Sequence, residues 1–191
     1  MWIQAIESPL GDLTAYWSEL GISRLMFGRP DEGTESEEAA LDDTAASVKF
    51  RASGPRALAS SLAEYFGGGD LESPLAHIDW TGTPAFHRRV LEQCAQIVRG
   101  QTMTYGQLAA AAGSPGAARA VGQAMARNRW PLIIPCHRVL GHSGRLTGYS
   151  GAGGTDTKRA LLDFEGGDVV RPRSREGAKK NLQRDSVPLW S

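Results

Sequence analysis

A cysteine and a histidine stand side by side at Cys136 and His137, directly after Pro135. A free thiol has a pKa of about 8.5, so at neutral pH it is mostly protonated and a weak nucleophile. A neighbouring base raises the thiolate fraction, and a thiolate attacks electrophilic carbon. The pair therefore indicates a candidate nucleophilic cysteine. The alternative is a buried structural cysteine, which behaves as a small apolar side chain.

The second cysteine of the chain, Cys94, has a different setting. It shares helical spacing with Phe86, Val90 and Leu91, which predicts a place in the core. Two cysteines in such unlike settings do not suggest a disulfide framework. Free thiols suit a reducing compartment, so we expect a cytoplasmic protein.

Length and composition limit the class of protein. The 191 residues fit one large domain or two small ones, and 41% of them are hydrophobic. No stretch approaches the roughly 18 consecutive apolar residues of a membrane span, so no membrane association is expected. The first residues lack the basic start and long apolar stretch of a secretory signal.

The net charge of zero conceals an uneven distribution. Residues 1–80 carry 14 acidic and 5 basic side chains, whereas residues 81–165 carry 4 acidic and 10 basic ones. Residues 166–191 are also basic, with 3 acidic and 6 basic side chains. A basic part beside an acidic part indicates a polyanionic partner for the basic part. Charge compensation within the protein is the alternative.

The N-terminal part is predicted to be a strand meander followed by a helix. Alternating residues and turn signals predict antiparallel strands over residues 2–6, 13–17 and 22–27. An acidic, polar loop is expected over residues 28–47, and a helix over residues 57–66 that glycines end. The segment 79–84 is a candidate domain boundary.

The C-terminal part is predicted to be helical. A helix is expected from residue 86 to Gly100, with Thr83 as its N-cap and Pro84 in its first turn. Two short helices follow over residues 105–112, capped by Thr104, and 117–126, with a turn at 113–116. They resemble a helix-turn-helix, whose second helix lies in a DNA groove, although Ala-rich helix pairs also occur as plain packing units.

A glycine-rich loop and a last helix complete the chain's pattern. The loop, residues 148–154, matches no phosphate-binding motif and is better suited to bring backbone N–H groups close to a ligand. A helix is predicted over residues 157–164, with Glu165 at its end.

An ordered set of motifs resembles the O6-alkylguanine-DNA alkyltransferases (methylated-DNA–protein-cysteine methyltransferases). The resemblance covers residues 1–166 and centres on Pro135-Cys136-His137-Arg138-Val139. The other matching segments, in chain order, are Ser8–Gly11, Gly82-Thr83 with Phe86, Thr104–Ala109, Ala117–Gly122, Asn128 with Pro131, Thr147–Gly151 and Lys158 to Gly166.

The resemblance implies an α+β fold in three parts. An N-terminal α/β domain with an antiparallel, ribonuclease-H-like sheet would span residues 1–80. An all-helical domain with the helix-turn-helix and the active site would span residues 81–166. Residues 167–191, a basic polar tail, have no counterpart in the family. The implied reaction transfers a methyl or larger alkyl group from O6 of guanine, or from O4 of thymine, to Cys136. The product is not regenerated, so each molecule acts once, and neither a metal nor a cofactor is needed.

The resemblance also implies roles for individual residues. Cys136, His137 and Glu165 would form a water-bridged relay, Tyr105 would donate a proton to the leaving guanine, and Asn128 would hold the turn before the cysteine strand. Arg119 would fill the stack vacated by the flipped base, and carbonyl groups of Cys136 and Val139 would read its exocyclic amine.

The other predicted DNA contacts are Tyr105, Ala118, Gly122, Gln123 and Arg127. The predicted substrate pocket consists of Met125, Pro131, Val139, Tyr149, Ser150 and Gly151.

The expected partner is double-stranded DNA with alkylated bases, bound by a monomer, with cooperative binding an open possibility. The loop between Tyr149 and Lys158 is about two residues longer than in many relatives, which bears on the size of the accepted alkyl group. Three other functions are open: a lesion-binding protein without transferase activity, a cysteine hydrolase and a transcriptional regulator. Cys136 argues against the first, because alkyltransferase-like proteins replace this cysteine.

Overall fold

A computed structural model of the protein describes residues 1–29, 45–71, 75–149, 151 and 153–166, without the side chains of residues 45–53. The predicted meander is confirmed as strands β1 (Trp2–Ile6), β2 (Leu13–Ser18) and β3 (Gly21–Phe27). They form one antiparallel sheet in the order β1-β2-β3, with an irregularity between Tyr16 and Trp17. The predicted loop at residues 28–47 lies largely outside the described residues, as does the tail after Gly166.

Helix α1 (Ala45–Phe66) follows the sheet. It begins twelve residues before the predicted start at residue 57 and continues through Pro55. Its buried side chains Leu58, Leu62 and Tyr65 belong to the same core cluster as the inward-facing residues of the sheet. As predicted, glycines end the helix, and Gly68 has a φ of 99°.

Helix α2 (Ala85–Cys94) is shorter than predicted. The prediction that the helix continues to Gly100 is wrong, because the helix ends at the C-cap residue Ala95. Beyond this point the carbonyl oxygen of Ile97 accepts a hydrogen bond from the Arg138 side chain. The predicted cap is also wrong: Pro84 occupies the capping position, and no side chain caps the helix. The hydroxyl of Thr83 instead accepts a hydrogen bond from Arg129 (3.1 Å).

Two short helices follow as predicted. They are α3 (Tyr105–Ala111) and α4 (Ala118–Ala126), joined by a turn at residues 112–117. Thr104 caps α3: its hydroxyl accepts from the Gln107 N–H (3.2 Å), and the Gln107 side chain accepts from the Thr104 N–H (2.7 Å). This reciprocal cap fixes the direction of α3 and thus the position of Tyr105, its first residue.

The cysteine segment is not a strand. Residues 136–138 form a 3-10 turn, and only Val139–Leu140 (β5) pairs, in parallel, with Met103–Thr104 (β4). The strand expected at Cys136 is therefore corrected to a turn. Helix α5 (Gly154–Phe164) begins three residues before the predicted start and carries Glu165 at its C-cap.

The sheet and the C-terminal helices share one buried cluster. The N–H of Leu25 on β3 donates to the carbonyl of Arg129 (2.8 Å), and the indole N–H of Trp130 donates to the carbonyl of Ile22 (2.7 Å). Arg99 donates to the carbonyls of Tyr65 (3.0 Å) and Phe164 (3.2 Å). These contacts connect α1 and β3 to the C-terminal segments that precede and follow Cys136. Among the described residues, no helix has the length and apolar character required to span a bilayer.

Candidate active site

Cys136 lies in the 3-10 turn and is almost fully buried, with 5% of its surface exposed. Asn128 braces the turn before it: its amide donates to the carbonyl of Ile134 (2.9 Å), and its oxygen accepts from the N–H of Trp130 (3.0 Å). Burial raises the pKa of Cys136, while a hydrogen bond from Asn128 and the charge of Lys158 act in the opposite direction. The thiol therefore needs a base to take its proton at neutral pH.

The adjacent imidazole is oriented by a carboxylate. Nε2 of His137 lies 2.8 Å from Oε1 of Glu165, and both side chains are fully buried. Because a carboxylate only accepts, Nε2 carries the hydrogen and Nδ1 is left with a free lone pair. Burial lowers the pKa of His137, which keeps the ring neutral. Nδ1 is buried and has no partner among the residues described, so it is available as a base.

Glu165 is held by more donors than the sequence suggested. Arg138 donates from Nε (2.9 Å) and Nη2 (2.7 Å), and the hydroxyl of Tyr65 donates to Oε1 (2.7 Å). Burial opposes ionisation, but the hydrogen bonds from His137 and Arg138 outweigh it and hold the pKa of Glu165 well below its ordinary value. The acid is therefore a carboxylate at every physiological pH.

Arg138 and Tyr65 were not among the predicted site residues. Arg138 was within reach of sequence reasoning, because it follows His137 in the motif and an arginine in an apolar run requires a buried partner. Tyr65 carried no such signal, since its helical spacing with Leu58 and Leu62 predicts a core residue.

Lys158 is a second buried cation near the thiol, after Arg138, and it too had no predicted role. Its side chain is fully buried, and Nζ donates to the carbonyls of Val139 (2.6 Å) and Thr147 (3.1 Å). Burial lowers the pKa of Lys158, whereas the nearby Cys136 raises it. The carbonyl of Val139, which was expected to read the substrate's amine, is thus already an acceptor for Lys158.

A pocket of about 210 Å³ opens onto Cys136. Five of the predicted residues line this pocket, together with two small residues that were not predicted, Ala126 and Gly148. The predicted residues that line it are Tyr105, Gly122, Met125, Cys136 and Tyr149.

The other predicted pocket residues lie elsewhere. Pro131 and Gly151 line a second cavity that shares only Ala126 with the first. Val139 is fully buried, and Ser150 lies outside the described residues. Gly151 still influences the first pocket, because a Cβ atom there would overlap the ring of Tyr149.

Tyr105 is the first residue of α3 and lines the Cys136 pocket, whereas the other predicted DNA contacts lie on α4 or at its C-terminal end. Arg119, Gln123 and Arg127 are exposed and recur every four residues, so they lie along one face of the helix. Ala118 and Gly122 are half-buried. Arg119 makes no ion pair or hydrogen bond within the described part of the chain, so its guanidinium is free for a ligand.

Comparison with known proteins gives a consistent result. Residues 85–167 match the family domain described as 6-O-methylguanine DNA methyltransferase, DNA binding domain. The chain is 37% identical to the constitutive methylated-DNA–protein-cysteine methyltransferase of Bacillus subtilis over 164 residues, covering 83% of this chain and 92% of the relative. The corresponding Salmonella typhimurium protein is 48% identical over 122 residues, covering 62% and 67%.

Solved structures agree with the sequence relatives. The crystal structure of Mycobacterium tuberculosis OGT in complex with DNA superposes with a TM-score of 0.64 and 37% sequence identity. The superposition covers 85% of this chain and 91% of that protein.

Proposed function

This chain belongs to the methylated-DNA–protein-cysteine methyltransferase family, and we propose that Cys136 is the residue that accepts the alkyl group. The protein repairs DNA by direct transfer of a methyl or alkyl group from a base to one of its own cysteines. The observation that supports Cys136 is its position at the pocket, next to an imidazole whose Nδ1 is free while Glu165 holds Nε2.

In the proposed reaction, the thiol proton passes through a bridging water to Nδ1 of His137. The Sγ lone pair then attacks the alkyl carbon, the S–C bond forms, and the C–O6 bond breaks. Its electron pair goes to the guanine, whose ring takes up a proton donated by Tyr105. Glu165 stabilises the imidazolium as it forms, as the orienting acid does in other nucleophile–base sets. The step as written balances without a cofactor.

A thioether is a poor leaving group, so no later step restores the thiol. Each molecule therefore acts once, which distinguishes the transferase from a cysteine hydrolase. A hydrolase would release its acyl group to water and turn over repeatedly.

DNA is the partner, and we propose that α3 and α4 form a helix-turn-helix that binds its minor groove. The target atom is unreachable inside a duplex, so the base must be flipped into the pocket. Arg119 would occupy the vacated stack, and Ala118, Gly122, Gln123 and Arg127 would contact the backbone. The substrates would include O4-alkylthymine as well as O6-alkylguanine. The protein would act as a monomer.

The proposed organisation is an N-terminal ribonuclease-H-like domain over residues 1–80 and a helical domain over residues 81–166. Residues 167–191, expected to be a basic tail, lie outside the described residues. A cytoplasmic location is part of the proposal, because both cysteines are free thiols in the structure and a reducing compartment preserves them.

The test is mass spectrometry of the protein after reaction with duplex DNA that contains O6-methylguanine. We expect one added CH2 group per molecule, located on the peptide with Cys136. The Cys136→Ala variant should bind the lesion but gain no mass, and the Cys94→Ala variant should still be methylated. A methyl group on Cys94, or more than one product base per protein molecule, would contradict the proposal.

A further inference from the structure

Beside the Cys136 pocket lies a second cavity with a pronounced positive character. It has a volume of about 510 Å³ and lies between strand β3 and the segment that follows α4. Three arginines line it, Arg24, Arg127 and Arg129, and among the described residues that line it none is acidic. We call it the arginine groove.

The three arginine side chains differ in whether they already have hydrogen-bond or charge partners in the protein. Arg129 is occupied: Nη2 donates to the carbonyl of Thr81 (2.8 Å), and the guanidinium lies 4.6 Å from the ring centroid of Trp130. Its charge also interacts with Asp79. Arg24 and Arg127 are exposed, and neither forms an ion pair or a hydrogen bond with any residue that the structure describes.

Arg24 is unexpected where it lies. Residues 1–80 carry 14 acidic and 5 basic side chains, and an exposed arginine there could readily be paired. It projects instead from β3, next to Leu25, whose N–H bonds to the carbonyl of Arg129. This backbone bond joins the strand to the segment after α4 and thereby sets Arg24 and Arg127 on the same cavity.

The groove adjoins the active-site pocket at one residue. Ala126, at the end of α4, lines both cavities. A DNA strand whose target base enters the Cys136 pocket therefore has the arginine groove next to the flipped nucleotide, on the side of Ala126. The DNA backbone carries one negative charge per nucleotide, and its phosphates are suitable ligands for the unpaired guanidinium groups of Arg24 and Arg127.

We propose that the arginine groove binds backbone phosphates of the lesion-bearing strand beyond the flipped nucleotide, with Arg24 of the N-terminal sheet as a phosphate ligand together with Arg127. The N-terminal part of the protein thus contributes directly to DNA binding. This inference rests on the proposed function in one respect, since it places the target base in the Cys136 pocket.

The test compares Arg24→Ala with Arg56→Ala, which removes an exposed arginine from α1 that lines neither cavity. Affinity for lesion-containing duplex is measured by fluorescence anisotropy over a range of salt concentrations. For Arg24→Ala we expect several-fold weaker binding at low salt, equal for lesion and undamaged duplex. We also expect a salt dependence, log K against log salt, that is shallower by about 0.9 per lost phosphate contact. Arg56→Ala should match the wild type.

A second arm locates the contact. The lesion strand is shortened to end next to the target nucleotide, on the 5′ side in one duplex and on the 3′ side in another. The difference between Arg24→Ala and wild type should vanish with one of the two truncations and persist with the other. Persistence with both, equal effects of Arg24→Ala and Arg56→Ala, or a change in oligomeric state instead of DNA affinity would overturn the proposal.

A third arm separates this inference from the assignment of Cys136. A free O6-alkylguanine base has no phosphates, so Arg24→Ala should react with it at the wild-type rate. Slower reaction of this variant with the free base would overturn the groove as a phosphate site. Failure of the wild-type protein to form an adduct at Cys136 would instead contradict the proposed function, whatever the DNA affinities show.

Discussion

The hydroxyl of Tyr65, in the first helix, donates a buried hydrogen bond of 2.7 Å to Glu165, which lies 100 residues later at the end of the last helix. Glu165 in turn orients His137 next to Cys136. The N-terminal helix is therefore in direct contact with the acid of the candidate relay. Burial raises the pKa of Tyr65, with the charge of Glu165 as the second cause, so the phenol stays protonated and remains a donor.

Removing this donor tests how much the contact stabilises the fold. Tyr65→Phe keeps the ring and deletes only the hydroxyl, so we expect the free energy of unfolding to fall by about 1.5–3 kcal/mol, the range for hydrogen bonds to charged groups. Urea denaturation measures the change. Tyr16→Phe is the matched control, because Tyr16 is only half-buried. Equal stability of the two variants would show that the Tyr65 hydroxyl contributes nothing.

The charge of Glu165 predicts a pH dependence of stability. Its folded-state pKa is depressed, so its contribution is complete above the unfolded value of about 4.3 and is lost as the pH falls below it. Glu165→Gln leaves Arg138 without its buried partner and should cost about 3–5 kcal/mol at pH 7. The difference in free energy of unfolding between wild type and variant should decrease below a pH of about 4.3.

Urea denaturation at a series of pH values between neutral and acid measures both stabilities. A gap of constant size down to the lowest pH at which the wild type folds would contradict the assignment of a depressed pKa. A small cost at pH 7 would show that water, rather than Glu165, satisfies Arg138.

Local elements were predictable from the sequence because their signals are local. Thr104 and Gln107 are three residues apart and form the cap that their types predict. The alternation of β1–β3 likewise follows from adjacent residues. The motif around Cys136 was likewise sufficient to single out the thiol that lines the pocket and the imidazole that follows it.

Contacts between distant segments were not predictable. Tyr65 is separated from Glu165 by 100 residues, and Arg138 from the Ile97 carbonyl by 41. The second contact lies just beyond the true end of α2, where helical periodicity alone predicted continuation to Gly100. Tertiary partners decided both cases, and a single sequence does not show which segments meet.

The buried ammonium of Lys158 is predicted to favour the thiolate of Cys136. Burial raises the pKa of the thiol, and the positive charge of Lys158 partly offsets that increase. Lys158→Met should therefore move the pH dependence of Cys136 alkylation by iodoacetamide, so that its midpoint lies at higher pH. The control is Arg159→Met, which removes an exposed cation from the next position of the same helix.

The alkylation rate is measured across the pH range in which both variants remain folded, with mass spectrometry to assign the modified cysteine. An unchanged midpoint in Lys158→Met would limit Lys158 to its hydrogen bonds with the carbonyls of Val139 and Thr147. An equal shift in Arg159→Met would indicate a general charge effect.

The role of Arg119 depends on whether the target base is stacked before it reacts. Extruding a base from a duplex costs a few kcal/mol, and a single strand avoids most of that cost. If Arg119 fills the vacated stack, Arg119→Ala should slow transfer from duplex DNA and leave transfer from a single strand nearly unchanged. A loss of about 1.4 kcal/mol corresponds to a tenfold slower reaction.

Arg127→Ala provides the contrast, since a lost phosphate contact should weaken binding of both substrates. Single-turnover rates at saturating protein isolate the extrusion step from binding. An equal reduction on duplex and single strand in Arg119→Ala would instead make Arg119 another phosphate contact.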